Sequence, residues 1–198
     1  MHIENLMPTA GAELARAYRN HKYEVADTGV LFPRAGLFVG GAFRHALNGG
    51  DAQIDNNLVV NEGLNYLLAT AFGGGAQITQ FFIAPFSANV TPAPTWTGAN
   101  FTASATEFTA YAGATRLEWV RGTAVGQAIG NTVSPAIFTY NAGGPYNLHG
   151  MALLSASTKN GVTGVLAVAT RFATPRLNQQ AGDRLSVEYV LTAQDDGV

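Results

Sequence analysis

The sequence predicts a mainly β protein: an antiparallel β-sandwich, jelly-roll or Greek-key like, with one inserted amphipathic helix and an N-terminal arm. Three observations support this prediction. Short runs of β-forming residues alternate with turn signals, and the 198 residues include 23 Gly. Only one segment has a clear helical period. Strands and helices do not alternate along the chain, so a parallel sheet is not expected.

The first 56 residues are predicted to form the arm, and residues 57–198 the sandwich body. Within the arm, residues 13–22 fit a short helix, because Leu14, Ala17 and Tyr18 follow helical spacing. So thin an apolar stripe makes a marginal helix on its own. Two interpretations stay open: a solvated extension, and an arm that folds against a neighbouring subunit.

Residues 37–47 are predicted to form one or two strands, interrupted at Gly40-Gly41. Turn signals follow at residues 48–51 and 55–57, and we place the end of the arm near Ile54.

The clearest helix begins at Asn61, which suits a capping position, and Glu62 suits the positive end of the helix dipole. A run of three Gly at 73–75 is expected to end it. Its predicted apolar face consists of Leu64, Leu67, Leu68 and Ala71.

After this helix the apolar period changes from 3.6 to 2, which indicates strands. Asn160-Gly161 is a hairpin signal, and the Pro-rich segment 90–101 is predicted to be a loop. The predicted strands lie at residues 78–85, 115–120, 135–140, 148–155, 165–172 and 185–191.

Composition excludes several classes of function. The net charge is −2 and no Lys/Arg run occurs, so nucleic acid is not an expected partner. The absence of Cys excludes disulfides and Cys-based metal sites. Neither a signal-peptide pattern nor a membrane-spanning apolar run is found. The charged fraction of 12% is about half the usual 25%, which suits a surface covered by neighbours.

No motif predicts a catalytic, cofactor or metal site. The four His (His2, His21, His45 and His149) lack metal-site spacing, and His149 is expected to be a hydrogen-bonded sheet residue. Neither Gly cluster continues as a phosphate-binding loop, and no Ser stands in a nucleophile elbow. A carboxylate pair across a cleft, as in glycosidases, stays open as an alternative.

The residues predicted to make contacts lie in the arm and in the loop at 90–101. The composition of that loop suits either an extended segment on another surface or an ordinary surface loop, and an exposed Trp is a common interface anchor. The predicted interface residues are Leu14, Tyr18, Tyr23, Leu31, Phe32, Trp96 and Phe101.

Three local patterns resemble small virion proteins of tailed bacteriophages. Residues 61–68 (NEGLNYLL), followed by a Gly cluster and the strand at 77–85, carry the first likeness. The segments 106–111 (TEFTAY) with 114–116 (ATR), and 182–189 (GDRLSVEY), carry the others. The resemblance spans roughly residues 57–193 and implies a β-rich body, often trimeric, that is seated on the shell or tail.

The leading hypothesis is therefore a non-enzymatic virion protein, made in the host bacterial cytoplasm, that decorates and stabilises the outer capsid surface. The expected partners are the major capsid protein and further copies of the chain in a homotrimer, without nucleic acid, membrane, small-molecule substrate or cofactor. A tail or tail-fibre component that contacts a host receptor is the second hypothesis. A small hydrolase or lectin-like enzyme is the third.

Overall fold

The computed structural model describes residues 23–25, 31–33 and 37–195. The chain divides into two compact units, of which one comprises Val39–Thr192 and the other the two ends of the chain. In the terminal unit, β1 (Tyr23–Val25) and β2 (Leu31–Pro33) pair as an antiparallel ribbon. The predicted helix at residues 13–22 lies outside the described residues.

The larger unit is built on two antiparallel five-stranded sheets, which confirms the predicted mainly β sandwich. Strands distant in the chain lie side by side in both sheets, as in Greek-key arrangements. Sheet I has the order β5 (Leu58–Val59), β11 (Leu166–Gln179), β10 (Tyr146–Leu154), β6 (Phe82–Phe86), β7 (Leu117–Glu118). Sheet II has the order β4 (Gln53–Asn56), β3 (Leu37–Leu47), β12 (Arg184–Asp195), β8 (Ala128–Gly130), and β9 (Ala136–Thr139) also pairs with β12.

The strands β3 and β4 belong to sheet II and to the larger unit from Val39 onward. They lie on the arm side of the boundary predicted at residue 56, and the turn at Asn48-Gly49 joins them as an antiparallel pair. The Gly40-Gly41 pair does not interrupt β3. A Cβ on Gly41 would overlap the carbonyl oxygen of Val190, so glycine permits the close approach of β12.

The predicted main helix is confirmed as α1 (Asn61–Phe72), although Val60 rather than Asn61 occupies the cap position. The helix ends at the Gly run as predicted. The carbonyl of Ala69 accepts hydrogen bonds from the amides of both Gly73 and Gly75. Gly74 between them has a φ of +68°, which glycine adopts without steric cost. A short second helix, α2 (Phe101–Ala105), was not predicted.

The main core lies between the two sheets. The alternation predicted for the last strand is confirmed, since Leu185, Val187 and Tyr189 of β12 are all fully buried. They pack in one cluster with side chains of sheet I such as Met151 and Leu153. Period-2 alternation places these apolar residues on a single face of each strand.

A second core covers the opposite face of sheet I. Ala152 and Leu154 of β10 point away from sheet II and pack under the segment that contains α2. The central strands of sheet I are therefore buried on both faces, although the sheet is antiparallel. This explains why five consecutive residues of β10, from Gly150 to Leu154, are buried.

Gly150 is a critical position of this doubly covered sheet. A Cβ there would overlap the ring of Phe86 and the carbonyl oxygen of Thr170. We predict that Gly150→Ala lowers the free energy of unfolding by about 1–3 kcal/mol through overpacking. Urea unfolding monitored by Trp fluorescence measures the change. Gly40→Ala is the matched control, since nothing lies within 4 Å of its Cβ position, and an equal loss in both variants would contradict the packing argument.

Candidate interaction surface

The outer face of α1 carries three large apolar side chains, Leu64, Leu68 and Phe72, which we call the apolar stripe. Their exposed fractions are 38%, 59% and 85%. At spacings of four residues they form a row about 12 Å long on one side of the helix. The stripe is a feature that the sequence prediction missed, because Leu64 and Leu68 were assigned to the buried face.

Three contacts turn α1 so that the stripe faces outward. Gly63 is buried against β11, where a Cβ would overlap the carbonyl oxygen of Ala167. The Glu62 carboxylate accepts hydrogen bonds of 2.7 Å from the amides of both Gly98 and Leu166. The Tyr66 hydroxyl accepts a hydrogen bond from the amide of Ile78. The buried face of α1 is therefore built around Gly63. The predicted face is right at Leu67, which is half-buried, and wrong at Leu64, Leu68 and Ala71, which are exposed.

The exposed face of α1 carries no charge. Glu62 is the one charged residue in the helix sequence, and its carboxylate is directed into the body by the two amides. The remaining exposed residues include Asn61, Asn65 and Ala69, which are small or neutral. An apolar row on a helix face without charge suits a partner surface that is also apolar and uncharged.

Trp96 and Phe101, predicted as interface anchors, are buried within the chain instead, with exposed fractions of 7% and 0%. They pack edge-to-face with each other and with Phe86 at ring-centroid distances of 6.0–6.4 Å. The segment 90–101 does lie on another surface, but this surface is the outer face of sheet I. The physical reason is that the outer face of sheet I is apolar, so it must be covered by another part of the chain, and this segment covers it.

The other predicted interface residues lie partly outside the described part of the chain. Leu14 and Tyr18 precede the first described residue. Tyr23 belongs to β1, and Leu31 and Phe32 belong to β2.

A buried ion pair fixes the loops beside α2. The Arg116 guanidinium donates two hydrogen bonds, of 2.8 and 2.7 Å, to the carboxylate of Glu107, and neither side chain is exposed. Arg116 also donates to the carbonyls of Ala156 and Gly161, while the amide of Asn160 donates to Glu107. The pair thereby connects the segment after α2 to the loop between β10 and β11.

Lys159, in the same loop, binds a ring of backbone acceptors. Its Nζ donates to the carbonyls of Thr109, Tyr111 and Gly113 at 2.7–3.2 Å and lies 3.6 Å from the centroid of the Tyr111 ring. All three N–H donors of the ammonium group are thus used within the chain.

His45 occupies a second polar cluster, at the seam between sheet II and β11. Its Nδ1 accepts a hydrogen bond from Arg176, because arginine can only donate. The proton of the neutral ring therefore sits on Nε2, which donates to Asp55 at 2.9 Å. Asp55 also accepts from the amide of Ala173, and the ring of Phe172 stacks on His45 at 4.0 Å.

Three of the polar groups with catalytic residue types are thus committed to the fold. His45, Glu107 and Arg116 are buried and bonded to neighbouring protein groups. His149 lies in β10 as predicted, and its buried Nδ1 finds no hydrogen-bond partner among the described residues. Over residues 37–195 and the two short strands, no group of three or more His, Asp or Glu is arranged to hold a metal ion.

Comparisons with known proteins do not assign a family: no family model matches the chain, and no curated protein matches it. Among the described residues, no helix is both long and apolar enough to cross a membrane.

The ion pair generates a prediction about stability. Arg116→Met leaves the Glu107 carboxylate buried without its cation, so we expect the free energy of unfolding to fall by about 3–5 kcal/mol. Replacing both residues with Met removes the uncompensated charge and is expected to recover part of this loss. Denaturant titration of the three proteins provides the comparison. A double variant less stable than Arg116→Met would count against this explanation.

The His45 cluster generates a prediction about pH. Burial, aided by Arg176 and opposed by Asp55, lowers the pKa of His45 below its usual 6.5. Between pH 6.5 and that lowered pKa, the unfolded chain binds a proton that the folded chain does not. Stability is therefore lost as the pH falls below about 6.5, with a slope of at most about 1.4 kcal/mol per pH unit from this group.

Urea unfolding at intervals between pH 7.5 and 5 measures this slope. His45→Gln removes the titrating group, so the variant is expected to lose less stability than the wild type over the same interval. Equal slopes in the two proteins would show that His45 does not titrate in this way.

Proposed function

We propose that this chain is a non-enzymatic structural protein of a phage virion, a decoration protein that binds the outer surface of the capsid. Two considerations support the proposal: the resemblance of residues 57–193 to such proteins, and the presence of an exposed apolar surface on a chain of low charge. On this proposal the major capsid protein and further copies of the chain, as a homotrimer, are its partners. The proposal also places the protein in the virion.

The observation that carries the proposal is the apolar stripe. Leaving a large apolar side chain exposed to water costs about 1.5–3 kcal/mol of free energy relative to burying it. The contacts of Glu62 and Gly63 hold Leu68 and Phe72 in that exposed position. A partner that covers the row recovers this free energy, which is why contiguous exposed apolar residues mark interaction sites.

The mechanism is stabilisation by mass action. A protein that binds the assembled shell, and not its separated subunits, shifts the equilibrium toward the shell. Modest affinity at each site is sufficient when many copies bind one shell, because each occupied site adds to the total stabilisation. The part of the predicted arm that precedes β3 would extend each contact over a neighbouring subunit and raise the effective concentration of the body at its site.

Co-sedimentation with empty capsids of the phage that encodes the chain tests the proposal. Saturable binding of many copies per shell is the expected result. We predict that Leu68→Ser and Phe72→Ser each weaken binding about tenfold or more, since each removes apolar area from the interface. Val133→Ser is the matched control, because Val133 is 99% exposed and lies outside the stripe. Unchanged binding by both stripe variants would reject the stripe as the contact.

Deletion of residues 1–35 tests the arm separately. We predict that the truncated protein loses binding to the shell while Val39–Thr192 stays folded, as judged by its urea unfolding curve. Full binding by the truncated body would reject the arm.

If the intact protein does not bind shells at all, the decoration role fails. A glycan array then tests the tail or adhesin hypothesis, since a decoration protein is expected to bind no glycan there.

A further inference from the structure

An apolar cavity lies beneath α1, where the helix meets the main core. Its volume is about 60 Å³, and no polar surface lines it. Gly63 and Leu67 form its roof, while Leu153 and Val168 of sheet I and Tyr189 of sheet II form its walls. The cavity is therefore placed between the helix and both sheets.

The aromatic residues around the cavity direct their polar atoms elsewhere. The hydroxyl of Tyr66 is bonded to the amide of Ile78, and the indole of Trp119 donates to the carbonyl of Tyr189. The Tyr189 hydroxyl donates to Asn57. The cavity consequently meets only the carbon surfaces of these rings, so its lining offers a water molecule none of the two to four hydrogen bonds that it needs.

The size and chemistry of the space define what it can hold. The lining atoms have no partner across the void, so an apolar guest gains dispersion contacts on several sides at once. A cavity of about 150 Å³ holds benzene or xenon, and one of about 60 Å³ is limited to a guest smaller than benzene. We propose that this cavity is a binding site for one small apolar molecule of a few heavy atoms, with xenon as its experimental probe.

The test is the NMR spectrum of the full chain under increasing xenon pressure. We expect saturable shifts of the methyl signals of Leu67, Leu153 and Val168, which line the cavity. Val168→Ile adds one methyl group toward this space and is expected to abolish the saturable component. Val162→Ile is the matched control, because Val162 is 59% exposed and does not line the cavity, and it should respond as the wild type does.

Thermal unfolding provides an independent readout, since a guest that binds only the folded state raises Tm by mass action. Xenon should raise Tm in the wild type and in Val162→Ile, but not in Val168→Ile, in which the cavity is filled. Val59→Ile fills the same cavity from β5 and replaces Val168→Ile if that variant does not fold. The absence of saturable shifts, shifts centred on other residues, or an undiminished response of the filled variant would overturn the proposal. None of these outcomes depends on binding to a capsid.

Discussion

The contact of α1 with β11 determines which side of the helix is buried and which side is exposed. Gly63 brings the helix backbone against the carbonyl of Ala167, and the carboxylate of Glu62 binds the amides of Gly98 and Leu166. These interactions fix the rotation of the helix about its own axis. The same rotation exposes the apolar stripe and leaves an apolar cavity on the inner side, so the proposed partner surface and the proposed ligand site share one structural cause.

Sheet I sets the second constraint, because both of its faces are apolar. Sheet II covers one face, and the segment with Trp96 and α2 covers the other. A buried segment without regular secondary structure needs hydrogen-bond partners for its backbone polar groups. The Arg116–Glu107 pair provides such partners to backbone groups of the surrounding loops. The charged residues that are buried in this unit therefore organise loops and a seam between the sheets.

Much of the fold was predictable from the sequence, and the site was not. Two local signals predicted their elements correctly, because tertiary packing did not override them. They are the period-2 alternation at Leu185, Val187 and Tyr189, and the Gly run that ends α1. The orientation of α1 was mispredicted because apolarity alone selected Leu64 and Leu68, whereas a glycine in contact with a strand decides which side is buried. Gly63 in the first turn of the helix was the available signal, since a glycine inside a helix without a packing reason is unfavourable. The burial of Trp96 depends on a second apolar face of sheet I, and no pattern within residues 90–101 indicates that face.

The orientation of α1 is the central claim, and thiol reactivity measures it most directly because the chain has no cysteine of its own. Single-cysteine variants Leu68→Cys and Leu67→Cys would be treated with a maleimide in the folded state and in urea. We predict rapid labelling of the folded protein at position 68 and slow labelling at position 67, with equal rates after unfolding. Protection at position 68 together with rapid labelling at position 67 would contradict the orientation of the helix and everything inferred from it.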